Sequence, residues 1–273
     1  MKLKKHEIAL IILLAIVIVV AGIAIFVVLR EYSEGDRTYI KFQDYVFLPE
    51  ETPVAKPDSG EAAGVPETPA PQGENTEDSP VDMAPPIVDF ASLQALNPDI
   101  SGWIYSAGTP VNYPIVQGDT NEDYLYRMVD GSNNKCGSIF LDCSNDRNFQ
   151  DANSVIHGHN MNNGSMFSEL KKYAKQEYYD MHPTIWLVTP DQTYSIEIFA
   201  AFVTEADSEV WKLSFSSEEE FTTWKSEMAK KSFFKSKVFP QVGEKVVTLS
   251  TCSYEFDNAH FVVIGVLRQK DNN

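Results

Sequence analysis

Val246-Val-Thr-Leu-Ser-Thr-Cys252-Ser-Tyr carries an apolar run straight into a cysteine. Val246 to Ser250 reads as a β-strand, because β-branched and aliphatic side chains follow one another without glycine or proline. The Cys252 thiol therefore stands where a strand ends and the chain leaves the sheet. A rigid element holds a nucleophile better than a loop does. A lone cysteine is more commonly a small buried hydrophobe, and its position by itself leaves both readings open.

A second strand ends in the same way, at Ser154-Val-Ile-His157-Gly-His159-Asn160-Met. Gly158 permits a close backbone turn there. A thiol with a pKa near ~8.5 is mostly protonated at neutral pH, so an adjacent imidazole is needed to take its proton. The same imidazole then protonates a leaving amine. Cys252 and His159 supply such a pair, although a structural histidine has the same sequence signature. His157 and His159 differ by two and would share one face of a continuing strand. With Cys252 or His260 they would make a zinc set. No second close ligand pair supports that set, and neither a metal nor a cofactor is expected.

Outward from these two strands, the pattern stays mostly β. Trp103–Tyr105, Tyr113–Gln117, Ser138–Leu141, Thr184–Val188, Tyr194–Phe202 and Phe261–Leu267 complete a set of eight. Ser165 is expected to cap a helix through Tyr173. Ser217 and Glu220 form a capping box opening a helix to about Lys231. Eight strands and few helices favour a mostly β domain closed as an eight-stranded barrel, which leaves no exposed edges. Cys136 and Cys143 flank an extended-looking stretch that would separate them by roughly 23 Å, and a disulfide needs less than ~7 Å. Free thiols are expected. His182, before Pro183, reads as a loop end without a role.

The N-terminal part is different. Residues 8–29 carry no charge and no proline, and a helix of that length crosses the ~30 Å hydrocarbon core. The run is too long for a signal-peptide core and lacks a clear small-x-small cleavage site. Lys2, Lys4 and Lys5 precede it, while charges of both signs follow. The positive-inside bias then puts residues 1–7 in the cytosol and everything after the span outside a single-pass membrane anchor. Residues 30–48 include Tyr39, Ile40, Phe42, Tyr45, Val46, Phe47 and Leu48. They suit either the membrane surface or a docking contact with the following domain. Residues 49–86 hold nine of the fifteen prolines and nine acids against one lysine. This composition cannot bury a core and reads as a semi-rigid solvated stalk. Residues 87–273 remain as the domain.

The net charge of −17 argues against a nucleic-acid binder, which needs a basic face. Three cysteines are too few for a disulfide scaffold. Neither a P-loop nor a dinucleotide glycine fingerprint, HExxH or GxSxG is present.

Taken in order, several motifs resemble the sortase family, class B. They are Asn97-Pro-Asp-Ile-Ser-Gly-Trp103-Ile, Tyr113-Pro-Ile-Val-Gln-Gly118, Gly137-Ser-Ile-Phe-Leu-Asp142, Ile156-His-Gly-His159-Asn-Met, Gly164-Ser-Met-Phe167 and Thr248-Leu-Ser-Thr-Cys252-Ser-Tyr-Glu-Phe-Asp. The resemblance covers about residues 87–268. It implies an eight-stranded sortase-type barrel, with a longer helix before the cysteine strand for which Ser217–Lys231 is well placed. It also implies a cysteine transpeptidase of Gram-positive surfaces. Cys252 would attack a carbonyl in the C-terminal sorting signal of a secreted protein and form a thioester. A peptidoglycan-precursor amine or a pilin lysine would then resolve it. His159 would act as general acid and then base. Ser250 and Thr251 would line the signal groove.

At one position the chain departs from the family pattern. Where class B members usually carry an arginine, in Phe-Asp-Asn-Ala-Arg-Phe-Val-Val, this chain has His260. The arginine steadies the developing oxyanion and the bound signal, with a fork of donors that is always charged. Loss of one oxyanion donor costs about 10²–10³ in rate. Three explanations compete: His260 substitutes as a protonated or N–H donor, another cation takes the place, or the substitution is engineered or the natural enzyme weak. Arg268 is a poor substitute, since eight strand residues set it about 27 Å away. Two alternatives to a transpeptidase follow: a catalytically weak barrel that binds sorting signals, and a peptidase that hydrolyses wall peptides.

Overall fold

A computed structural model describes residues 4–48, 84–253 and 255–270. The chain opens with α1 (Lys5–Gln43), followed by β1 (Val46–Phe47), β2 (Ile87–Val88) and α2 (Phe90–Leu96). Then come β3 (Ile100–Tyr105), β4 (Asn112–Val116), β5 (Ile139–Leu141) and β6 (Asn153–His157). A 3₁₀ segment (Ser168–Ala174) leads into α3 (Gln176–Met181), β7 (Thr184–Val188) and β8 (Thr193–Thr204). The last elements are α4 (Glu218–Lys230), β9 (Val246–Cys252) and β10 (His260–Gln269).

Strands β3 to β10 close into one barrel in the order β10-β8-β7-β3-β4-β5-β6-β9. This is the closed eight-stranded architecture expected from the strand count. The expected strands all appear, with ends differing by a few residues.

The apolar runs of β8, β9 and β10 have a direct cause. Their inward residues, among them Ile198, Val247, Leu249 and Val263, join the barrel core. Their outward residues, among them Phe202, Val246, Val262 and Ile264, are covered by Phe221, Trp224 and Met228 of α4. A strand buried on both faces reads as a continuous hydrophobic run rather than an alternating one. Ser217 caps α4, its side chain accepting from the Glu220 amide at 3.2 Å. The Glu220 carboxylate returns to the Ser216 amide at 2.7 Å, one residue short of a standard capping box.

Ser165 caps no α-helix. The segment after it is 3₁₀ from Ser168, preceded by Phe167 without a side-chain cap, and α3 begins only at Gln176. A local contact replaces the cap: the Ser165 side chain donates to Asn163 Oδ1 at 2.7 Å. Cys136 and Cys143 are free thiols, and the strand between them is only Ile139–Leu141. His182 caps the C-terminus of α3.

Among the described residues, α1 is the one helix long and apolar enough to cross a membrane, and its large apolar side chains at Ile8 and from Ile11 to Leu29 are exposed. The helix does not stop where the apolar run stops. It continues for another 14 residues to Gln43, supported by an Arg30–Glu34 ion pair at 2.7 Å of the favourable i,i+4 kind. Tyr39 and Phe42, three apart on one face, are buried in the barrel core cluster. Gln43 Nε2 donates to the Asn112 carbonyl at 2.9 Å, and Asn134 Nδ2 donates to the Glu31 carbonyl at 2.9 Å. Of the two placements open for residues 30–48, docking on the domain is the one observed, so the packed unit begins before residue 87. The stalk expected at 49–86 lies outside the described residues for positions 49–83. Its flanks pair as an antiparallel ladder, Val46 opposite Val88 and Phe47 opposite Ile87, so the chain enters and leaves that stretch at one place.

Candidate active site

Three strand ends meet at one rim of the barrel. β6 and β9 pair in parallel, His157 opposite Ser250, so both strands finish at the same end. Two residues beyond that pair lie His159 and Cys252. β10 runs antiparallel to β9 and begins with His260 opposite Cys252. Sequence positions 159, 252 and 260 thus converge through the topology of a closed sheet. Gly158 makes the turn into His159 possible, because a Cβ there would overlap Ile139 Cδ1 and crowd the Phe167 ring.

The rim holds a small pocket of about 90 Å³. Cys252, His159, His260, Ser250 and Thr251 all line it, together with His157, Leu125 and Phe140. Cys252 is exposed at the rim, yet the protein mass around its sulfur still disfavours the thiolate and pushes the thiol above its ordinary value. The resting thiol therefore holds its proton at neutral pH and needs a base.

The His159 ring is fixed by its surroundings. Its Nε2 donates to the Leu125 carbonyl at 2.6 Å. A carbonyl oxygen only accepts, so Nε2 carries the proton and Nδ1 is the free base of the neutral ring. The ring stacks on Tyr126 with centroids 5.8 Å apart. The backbone carbonyl of His159 accepts from the Phe167 amide at 3.0 Å. Asn160 Nδ2 donates to the Cys252 carbonyl at 3.0 Å, tying the two loop starts together.

His157 and His159 do not share one strand face, because β6 ends at His157. The His157 ring lies between Phe140 and Trp211, at 5.1 and 6.1 Å. Its Nε2 is 3.4 Å from Asp142 Oδ2. Burial works to raise the Asp142 carboxyl, but hydrogen bonds from His157, the Ser144 amide and Asn121 outweigh it and hold the group at about 2. With His157 turned to Asp142 and His159 to Leu125, the two rings do not converge on a common ligand position.

His260 packs edge-on against Trp211 at 5.2 Å, and its Nδ1 is 3.4 Å from Ser250 Oγ. Burial lowers its protonation below the ordinary imidazole range, and the neighbouring His157 lowers it further. At neutral pH His260 is a neutral ring. Arg268 is engaged elsewhere, bonded to Glu197 and, through Nε at 2.9 Å, to Glu244. Ser250 is buried on the same strand face as Cys252. Thr251 alternates to the opposite face, its Oγ1 buried without a hydrogen-bond partner among the described residues.

Sequence reasoning did not find the Leu125 carbonyl, Trp211 or the contact between His157 and Asp142. A backbone acceptor has no side-chain signature. Trp211 meets the His157 and His260 rings from a short 3₁₀ turn (Glu209–Trp211) after β8, too short for a periodic pattern to place it. Asn160 stood beside His159 in the sequence, and that adjacency was the signal available for it.

The pocket joins a strand-end thiol, an oriented imidazole and a closed barrel, the equipment of a sortase-type cysteine transpeptidase. Comparison with known proteins agrees. The Sortase domain family matches residues 104–268. Sortase B of Listeria monocytogenes is 33% identical over 184 residues, covering 67% of this chain and 75% of that protein. The Staphylococcus aureus sortase B–substrate complex superposes with a TM-score of 0.64 at 32% identity, covering 67% of this chain and 85% of that one. A sortase B solved in complex with triglycine aligns equally well, with a TM-score of 0.64, 32% identity and 67% and 86% coverage. The chain belongs to the sortase family of cysteine transpeptidases. Within that family it is of class B.

Proposed function

We propose that the chain is a membrane-anchored sortase that cleaves a C-terminal sorting signal of secreted proteins and passes the acyl group to an amine. In this reading Cys252 Sγ attacks the scissile carbonyl while His159 Nδ1 takes the thiol proton. The C–N bond breaks, the imidazolium protonates the leaving amine, and a thioester remains on Cys252. An incoming amine gives its proton to the same imidazole, attacks the thioester and releases the thiol. The observation that carries the reading is the shared pocket of Cys252 and His159, with the His159 tautomer set for proton exchange by Leu125. His260 contributes an N–H donor beside the reacting carbonyl, and Ser250 and Thr251 line the signal groove. The substrate-bound and triglycine-bound relatives support a sorting-signal peptide as donor and an amine as acceptor, which in this reading is a peptidoglycan-precursor amine or a pilin lysine. α1 supports a single-pass anchor with the barrel on the outer face.

The test uses the full chain in detergent micelles with peptides carrying Asn-Pro-Gln-Thr-Asn or Pro-x-Thr-Gly signals. Mass spectrometry should find an acyl adduct on Cys252, and triglycine should convert it to a ligated product. Cys252→Ala should lose both, with turnover down at least about 10³-fold. Peptide binding by the parent without any adduct would sink the enzyme reading. It would favour a signal-binding barrel instead, the alternative supported by the neutral His260 in place of a charged donor.

A further inference from the structure

The part of α1 beyond the apolar run does more than attach the barrel. Tyr39, fully within the packed unit, donates its phenol to the Gly137 carbonyl. Gly137 has φ +51, and a Cβ on it would overlap the Leu125 carbonyl oxygen and crowd that of Tyr124. The bare Cα of Gly137 therefore abuts the oxygen that accepts from His159 Nε2. The neighbouring Ser138 amide donates to the Tyr124 carbonyl at 3.0 Å, which fastens the same peptide run from the other side.

The Tyr39 ring has a second line of contact to the same histidine. It meets Tyr113 edge to face at 5.3 Å. Tyr113 Oη accepts from the Met166 amide at 3.0 Å. Met166 forms a β-bridge with Asn160, the residue after His159. Through Gly137 and Tyr113, each one contact away, the phenol thus adjoins both backbone supports of the imidazole, the acceptor at Leu125 and the turn at Asn160–Met166.

We infer that Tyr39 is a positioning residue for His159, and that the juxtamembrane turns of α1 are a working part of the active site rather than a tether. The inference rests on the acid–base role given to His159 above. Rigid positioning of a general base is the kind of contribution a support at this distance makes.

The experiment compares full-length parent, Tyr39→Phe and Gln43→Ala in micelles, with ¹⁵N-histidine labelling and His159→Gln for assignment. Tyr39→Phe keeps the ring on Tyr113 and removes the hydroxyl that donates to the Gly137 carbonyl and approaches Ser138 Oγ at 3.3 Å. Gln43→Ala removes one helix-to-barrel hydrogen bond that does not reach Leu125. In the parent, the His159 ring should show a protonated Nε2 and a bare Nδ1. Tyr39→Phe should mix the tautomers and lower kcat about tenfold, the rate equivalent of one hydrogen bond, with KM changed less than about twofold. Gln43→Ala should leave both readouts at parent values. Parent-like ring shifts and kcat in Tyr39→Phe would overturn the inference, as would an equal loss in Gln43→Ala, which would mean that docking strength alone matters. Turnover surviving in His159→Gln would instead sink the acid–base role, and the ring signals of the other variants would still decide what Tyr39 does.

Discussion

The two ends of β10 are built on opposite principles. At its C-terminal end Arg268 is bonded to both Glu197 and Glu244, so its donors are taken and its charge is neutralised. At its N-terminal end the His260 ring has, among the described residues, a 3.4 Å approach to Ser250 and a ring contact with Trp211. The Asp142 carboxylate nearby is turned to His157, the ring beside His260. Two acids hold the strand's permanent cation at the far end of β10, and a neutral ring lines the same pocket as the Cys252 thiol proposed to react. Saturated polar groups stabilise a fold, whereas a group that is to bind a substrate must keep bonding capacity free.

The sharpest way to probe this asymmetry is to put a permanent cation at the functional end. His260→Arg should raise kcat/KM about 10²-fold at pH 7.5, the usual worth of one well-placed donor to a developing oxyanion. The ratio of variant to parent should shrink as pH falls below about 6.5, the ordinary imidazole value. The parent ring gains its charge only below that value, because burial and His157 depress it. Taking the ratio cancels the titration of Cys252 and His159, which both proteins share. A ratio that stays flat from pH 5 to 8 would mean that the charge on residue 260 is irrelevant, and that the two strand ends differ in packing alone.

How far the sequence carried the reading depends on which kind of interaction did the placing. The barrel was legible because eight apolar strands announce themselves, and α4 because Ser217 caps it. Cys252 and His159 were legible because each stands at or just past the end of a strand. What brings them together is the parallel pairing of β6 with β9, a non-local choice that neither strand encodes by itself; the family resemblance supplied only the joint role of the two residues. The extent of α1 was hidden for another reason. Hydropathy ends at Leu29, but helix continues through Arg30–Gln43 because Tyr39 and Phe42 find a partner surface, and tertiary packing decides what a charged amphipathic stretch does. The orientation of His159 by a backbone carbonyl leaves no trace in side-chain identity.

A second probe acts on the carboxylate at the His260 end. Asp142 is held at about 2 against an ordinary 3.8, burial opposing and the bonds from His157, Ser144 and Asn121 prevailing. A depressed acid stabilises the fold above its unfolded value, and that contribution is lost as pH falls from about 3.8 through about 2. Asp142→Asn should therefore cost about 2 kcal/mol at pH 7. The deficit should close progressively as the buffer is acidified below pH 4. Urea unfolding of both proteins at pH 7 and pH 3 measures it. An equal deficit at both values would show that the loss comes from repacking around His157 and not from the carboxylate charge.

The smallest effect is expected where the polar groups are most completely satisfied. Arg268→Met removes the cation and leaves Glu197 and Glu244 facing each other at the far end of β10. All three side chains are partly solvated, between a quarter and a third exposed, so screening limits the pair energies to about 1 kcal/mol in total. That corresponds to a fall in Tm of roughly 2–4 °C for a domain of this size. The pH dependence follows from Glu244. Burial tends to raise its carboxyl, but the bonds from Arg268 and the Gln241 amide keep it below the ordinary 4.5. The stabilisation is thus present above 4.5 and is lost as pH falls through the depressed folded value, so the variant's deficit should fade in acid. Because Arg268 lies a whole strand from Cys252, kcat should not change. A drop in kcat comparable to the stability loss would mean that the two ends of β10 are mechanically coupled, and that a cation fixed at one end helps set the ring at the other.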